Sequence, residues 1–177
     1  NIFSSELVNC HLNLYSIAMS RRKSSLIAPG YKATDKDVEQ LKSLVAQAFQ
    51  ESQKTIASHR KLIISLTNIQ ERAIEADLES VFTKFFCKCL NRVLPVKRTE
   101  KAAERVVKLV EGFSKHIQEK YSPKDADEDD DSDTVASRFT DDVVRHLLKG
   151  VTSKDKLVRA RSCQLIAAIV NGLQEID

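Results

Sequence analysis

From Ser153 to Leu173 the sequence reads as one amphipathic helix of about five turns, and its apolar stripe is too broad for a helix lying alone on a surface. Leu157, Val158, Leu165, Ile166, Ile169 and Val170 recur at intervals of three and four, a face that needs neighbours on more than one side. Ser153 is a favourable N-cap, and Asp155 places a carboxylate near the positive end of the helix dipole. Asn171-Gly172 supplies residues that tolerate the left-handed conformation at a helix end. A helix that must be buried between others restricts the remainder of the chain to a packed helical architecture.

Five more segments carry the same period. Val38, Leu41, Leu44, Val45, Ala48 and Phe49 mark a helix from Thr34 to about Gln53, opened by an imperfect Thr34/Asp37 capping box. Leu62, Ile63, Leu66, Ile69 and Ala73 mark a second, from Ser58 to Ala76. Asp77 can cap a third, whose Val81, Phe82, Phe85, Phe86, Cys89, Leu90 and Val93 form the most apolar face in the chain, and Pro95 stops it. Thr99 caps a fourth, with Ala102, Ala103, Val106, Val107, Val110, Phe113 and Ile117 inward, ending at Tyr121-Ser122-Pro123. A fifth, about 135–150, buries Phe139, Val143, Leu147 and Leu148. No stretch alternates with the period of two that a half-buried strand requires, so the expected fold class is all-α.

The organisation expected from these segments is a flexible N-terminal stretch over 1–33, four helices over 34–123, an acidic linker over 124–134 and a helix pair over 135–177. The only methionine, Met19, is followed by Ser-Arg-Arg-Lys-Ser-Ser, which suggests a natural start there and makes 1–18 a non-native extension. Lys124 to Asp133 holds seven acids and one base, too little apolar surface to fold. Without it the chain has 27 basic and 18 acidic residues, a net +9, enough to make a polyanion a plausible partner.

Six helices joined mostly by short turns make three antiparallel pairs; the competing arrangement is a closed bundle. The order Asp155, Val158-Arg159, Ser162, Leu165 resembles the second helix of a HEAT repeat, with Ser162 where the pattern usually has alanine. In that family the aspartate and arginine form a polar ladder along the stack, so the resemblance implies a structural role for Asp155 and Arg159, four residues apart. The expected architecture is antiparallel helix pairs stacked as a HEAT-repeat solenoid, truncated at its C-terminal end.

With the helices in place, an ordered set of strings resembles the N-terminal HEAT repeats of the condensin non-SMC subunit 3 family, its fungal members in particular. The strings are His59-Arg60-Lys61, Leu94-Pro95-Val96-Lys97-Arg98, Arg105-Val106-Val107-Lys108-Leu109-Val110, Ser137-Arg138-Phe139, Arg145-His146-Leu147-Leu148-Lys149-Gly150, Lys156-Leu157-Val158-Arg159, Gln164-Leu165 and Glu175-Ile176-Asp177. The resemblance runs from about Phe49 to Asp177. It implies an N-terminal piece of a longer regulatory subunit of condensin in the nucleus and on mitotic chromosomes. The implied partners are the kleisin subunit, the SMC subunits through the complex, and double-stranded DNA.

A basic stripe is the strongest candidate for that DNA contact. Arg98, Lys101, Arg105 and Lys108 follow at spacings of three, four and three on the fourth helix, with Lys97 at its approach, while Glu100, Glu104 and Glu111 lie on another strip. Cations so arranged can meet successive phosphates and release counterions. The family's basic position after the Leu-Pro turn, associated with DNA, matches Lys97-Arg98. Arg138, Arg145 and Lys149 offer a second stripe on the fifth helix. Arg159 reads as the ladder arginine, with Arg161 close by; nothing points to base reading, so contacts without sequence preference are expected. The competing reading is a HEAT adaptor of the transport-receptor or phosphatase-scaffold kind, binding protein alone.

Chemistry is not in view. Cys87 and Cys89 sit two apart on a helix, facing about 200° apart, which suits no single metal. His11, His59, His116 and His146 are scattered, no nucleophile arrangement accompanies them, and no phosphate-binding glycine loop occurs. The acids between Asp125 and Asp133 read as a solvated run and not a calcium loop. The expectation is a non-enzyme without metal or cofactor, without a small-molecule substrate, and without a membrane span. The four cysteines fit no disulfide framework and point to a reducing compartment.

Overall fold

Thr34 opens the first helix as its sequence suggests: the Asp37 carboxylate accepts from the Thr34 backbone N–H at 2.7 Å, completing the capping box. In the computed structural model the described residues are 33–97, 100–121 and 134–174. The N-terminal stretch, Arg98, the Thr99 cap and the acidic run lie outside them. Six helices follow in order: α1 (Asp35–Ser52), α2 (His59–Glu75), α3 (Glu79–Val93), α4 (Glu100–Tyr121), α5 (Val135–Val151) and α6 (Lys156–Gln174). No strand occurs among the described residues, and no helix is long and apolar enough to cross a membrane.

Each helix packs against the one two places along, so α1, α3 and α5 form one layer and α2, α4 and α6 the other. Stacking of this kind, repeated from pair to pair, is that of a helical solenoid, not a closed bundle. Between the layers the core runs from Val45 through Leu66, Phe82, Phe86, Leu90, Leu109 and Phe113 to Leu147 and Ile169, all buried. Phenylalanine rings join the pairs. Phe86 meets Phe49 of α1 at 4.9 Å between centroids, Phe113 of α4 at 5.6 Å and Phe139 of α5 at 5.2 Å. Such edge-on and tilted contacts add to the burial of the rings themselves.

Three local expectations are corrected. Asp77 ends α2 instead of beginning α3: its φ is +56°, its N–H donates to Ile74 O, and the Leu78 N–H donates to Ala73 O at 2.6 Å. That is a Schellman closure, with aspartate in the left-handed position usually given to glycine and Leu78 packing on the core. The cap of α6 is Asp155, whose carboxylate accepts from Leu157 N–H at 2.8 Å; Ser153 accepts instead from Asp155 N–H at 3.2 Å. Gly172 does not end α6, which continues to Gln174. A Cβ at Gly172 would stand 2.7 Å from the carbonyl oxygen of Glu111 and 3.1 Å from the amide nitrogen of Lys115. The missing side chain lets α6 lie directly against the backbone of α4.

Cys87 and Cys89 point into this core. Burial first, and the nearby Asp142 carboxylate second, push the Cys87 thiol up to about 12, and burial raises Cys89 as well. Because burial disfavours the thiolate in the folded state, the Cys87 thiol favours the fold while it stays protonated, a contribution fully present below pH 9 and lost as pH rises from 9 toward 12. Alkylation of the native protein near neutral pH should modify exposed Cys163 and spare both buried thiols, as peptide mapping would show. Modification of Cys87 at a rate like that of Cys163 would mean that α3 opens locally.

Candidate nucleic-acid interface

Lys97 stands exposed on the turn after α3, and that turn is held from a distance. Arg161 of α6, only 4% exposed, sends one terminal amino group to the carbonyls of Val93, Leu94 and Val96 at 2.7, 3.0 and 2.7 Å. These carbonyls include those that a helix end leaves without partners, and a cation there also suits the helix dipole. The last turn of α3, the Leu94-Pro95 corner and the approach to α4 are thereby tied to the following repeat.

On α4, Lys101 and Lys108 are exposed and look away from the core, with exposed Glu104 one turn from each. Arg105 is drawn out of this row: its guanidinium donates to the Gln53 carbonyl at the end of α1 and so braces the fold. Lys120, farther along the same helix, pairs with Glu71 of α2. Of the four cations expected in this row, Lys101 and Lys108 are exposed with Glu104 between them, Arg105 is engaged with Gln53, and Arg98 lies outside the described residues; Lys97 stands at the approach.

Arg145 and Lys149 are exposed on α5, in the opposite layer. The spacing on each helix is as read from the sequence, but the two stripes do not merge into one surface. Arg138 of the same helix pairs with Glu79 of α3 at 3.3 Å, and His146 Nε2 lies 2.9 Å from Asn91 Oδ1. Burial, and then the Lys149 charge, lower the His146 pKa. Lys84, Lys88 and Arg92 on α3 share this outer side; their spacing of four was visible in the sequence beneath the apolar pattern of the same helix.

At the start of α6, Arg159 donates to the carbonyls of Ser153 and Lys154 at 2.7 and 3.0 Å, while Asp155 caps the helix. Both residues secure the turn between α5 and α6, each through backbone groups. Arg161, two residues on, makes the contact between repeats. No group of three or more potential metal ligands occurs among the described residues.

The fold and this arrangement define a two-layer HEAT-type helical repeat with exposed cations on both outer sides. The chain is 38% identical over 136 residues to condensin complex subunit 3 of Saccharomyces cerevisiae, an alignment covering 75% of the chain and 13% of that relative. It is 33% identical over 132 residues to condensin complex subunit 3 of Schizosaccharomyces pombe, covering 74% of the chain and again 13% of the relative. No family model matches it. Over about three quarters of its length the chain is a homologue of condensin complex subunit 3, in keeping with the ordered strings read from the sequence. It spans about an eighth of the length of these curated relatives.

Proposed function

We propose that the chain is an N-terminal part of a regulatory, non-catalytic HEAT subunit of a condensin complex, acting on mitotic chromosomes in the nucleus. In this reading the whole subunit binds the kleisin, meets the SMC subunits through the complex, and holds double-stranded DNA by its phosphates without reading bases. The observation that carries it is the homology to condensin subunit 3, together with an exposed basic turn that a buried arginine of the next repeat holds in place. Lys97 approaches the backbone from the turn, Arg98 follows it in the sequence, and Lys101 and Lys108 extend the contact along α4. The compact ammonium groups of the three lysines suit phosphate contact and counterion release more than base recognition.

Reversing both charges of the turn, Lys97→Glu with Arg98→Glu, tests it in the full-length subunit bound to its kleisin. Affinity for all duplex sequences should fall alike, and the slope of log affinity against log salt should flatten by about 1.8, at about 0.9 per lost phosphate contact. Unchanged binding across the salt series would leave a protein-binding adaptor as the better account of this region.

A further inference from the structure

We propose that the outward side of α3 and α5 is a second surface for the backbone of double-stranded DNA. It extends the DNA-binding reading above but stands on different residues in the other layer, so either can fail alone. Lys84, Lys88 and Arg92 follow at steps of four along α3, and Arg145 and Lys149 repeat that step on α5; all five are exposed. None forms an ion pair among the described residues, although Lys88 rests over the Phe85 ring at 6.0 Å. The acids nearest this surface are Glu79, taken up by Arg138, and exposed Asp141 and Asp142 on α5.

The absence of acids within a turn of the three α3 cations carries the argument. On α4, glutamates stand beside the lysines, as on an ordinary solvated helix, and on α5 Asp141 and Asp142 stand four and three residues before Arg145, though none flanks Lys149. On α3, positions three and four residues to either side of Lys84, Lys88 and Arg92 hold no carboxylate. Like charges four apart destabilise a helix, and none of these side chains braces the fold as Arg105 and Arg161 do. A polyanion would convert that repulsion into attraction.

Geometry favours a duplex over an acidic polypeptide. At about 1.5 Å per residue the α3 row spans about 12 Å. Packed neighbouring helices lie about 8–10 Å apart, which sets the distance to the α5 row. Two cation rows at that separation can meet the two phosphate backbones that border a minor groove about 6 Å wide, whereas a single extended acidic strand would engage one row. The Asn91–His146 hydrogen bond and the Glu79–Arg138 pair fix α3 and α5 beside each other.

The test is Lys88→Glu/Arg92→Glu/Lys149→Glu in the full-length subunit with its kleisin, titrated with a mixed-sequence duplex over a salt series. Affinity should fall by about tenfold or more and the salt slope should flatten by about 2–3, near 0.9 per contact. The neutral Lys88→Gln/Arg92→Gln pair should give a smaller loss of the same sign. Lys88→Glu alone should leave Tm unchanged or raise it while lowering duplex affinity, because opposite charges then stand four residues to either side. Duplex affinity and slope equal to the unsubstituted protein would overturn the proposal, as would retained duplex binding with lost capture of poly-glutamate. The Lys97→Glu/Arg98→Glu protein, measured in parallel, separates this surface from the turn: a loss there with none here sinks only this one.

Discussion

Replacing Phe86 with alanine should lower the unfolding free energy by about 3–5 kcal/mol in urea denaturation, the range found when a buried ring leaves a cavity that its surroundings cannot close. Phe86 has no exposed surface and touches rings from three other helices, Phe49, Phe113 and Phe139. Few positions offer less room for collapse, since the cavity wall would consist of rigid rings anchored on separate helices. Phe85, its neighbour in sequence, is only partly buried and carries Lys88 over its face; alanine there should cost less. Equal effects at the two positions would mean that the inward face of α3 has been misassigned.

Arg161→Met should cost about 2–4 kcal/mol, because it strips a charged donor from three carbonyls, part of them buried, while keeping much of the side-chain volume. Arg161→Lys should recover only part of the loss, since an ammonium is more strongly hydrated than a guanidinium and costs more to hold at this buried site. Limited proteolysis provides the local readout: cleavage after Lys97 should accelerate in the methionine variant. A Met variant as stable as the unsubstituted protein, with an uncut turn, would show that Leu94-Pro95 holds its shape without help.

Helix positions were legible because apolar period, caps and proline stops all act within a few residues. Phe82, Leu66 and Val106 could be placed in the core from spacing alone. What escaped depends on partners distant in sequence. Asn171-Gly172 carries the signature of a helix end, yet Gly172 is required by a backbone some 60 residues earlier, and composition cannot separate a stop from a close approach. The stripe on α4 was correctly spaced, but nothing in the spacing says that Arg105 is drawn to the end of α1 or that α5 turns its cations to the other layer. Arg159 matched the repeat pattern and so drew attention, while Arg161, two residues on, became the tie between repeats.

The ring cluster also bears on how this region comes apart. Arrays of helical repeats are commonly described as rows of units, each coupled only to its neighbours, that can melt one unit at a time. Here Phe49 from the first helix pair, Phe82, Phe86 and Phe113 from the second, and Phe139 from the third are joined by mutual contacts. Loosening any one pair removes a wall from the site that houses the others' rings. Amides in α1, α3, α4 and α5 should therefore exchange hydrogen through one shared opening rather than a graded series, and a pull on one end should meet a single yield point where a loosely coupled array would unravel stepwise.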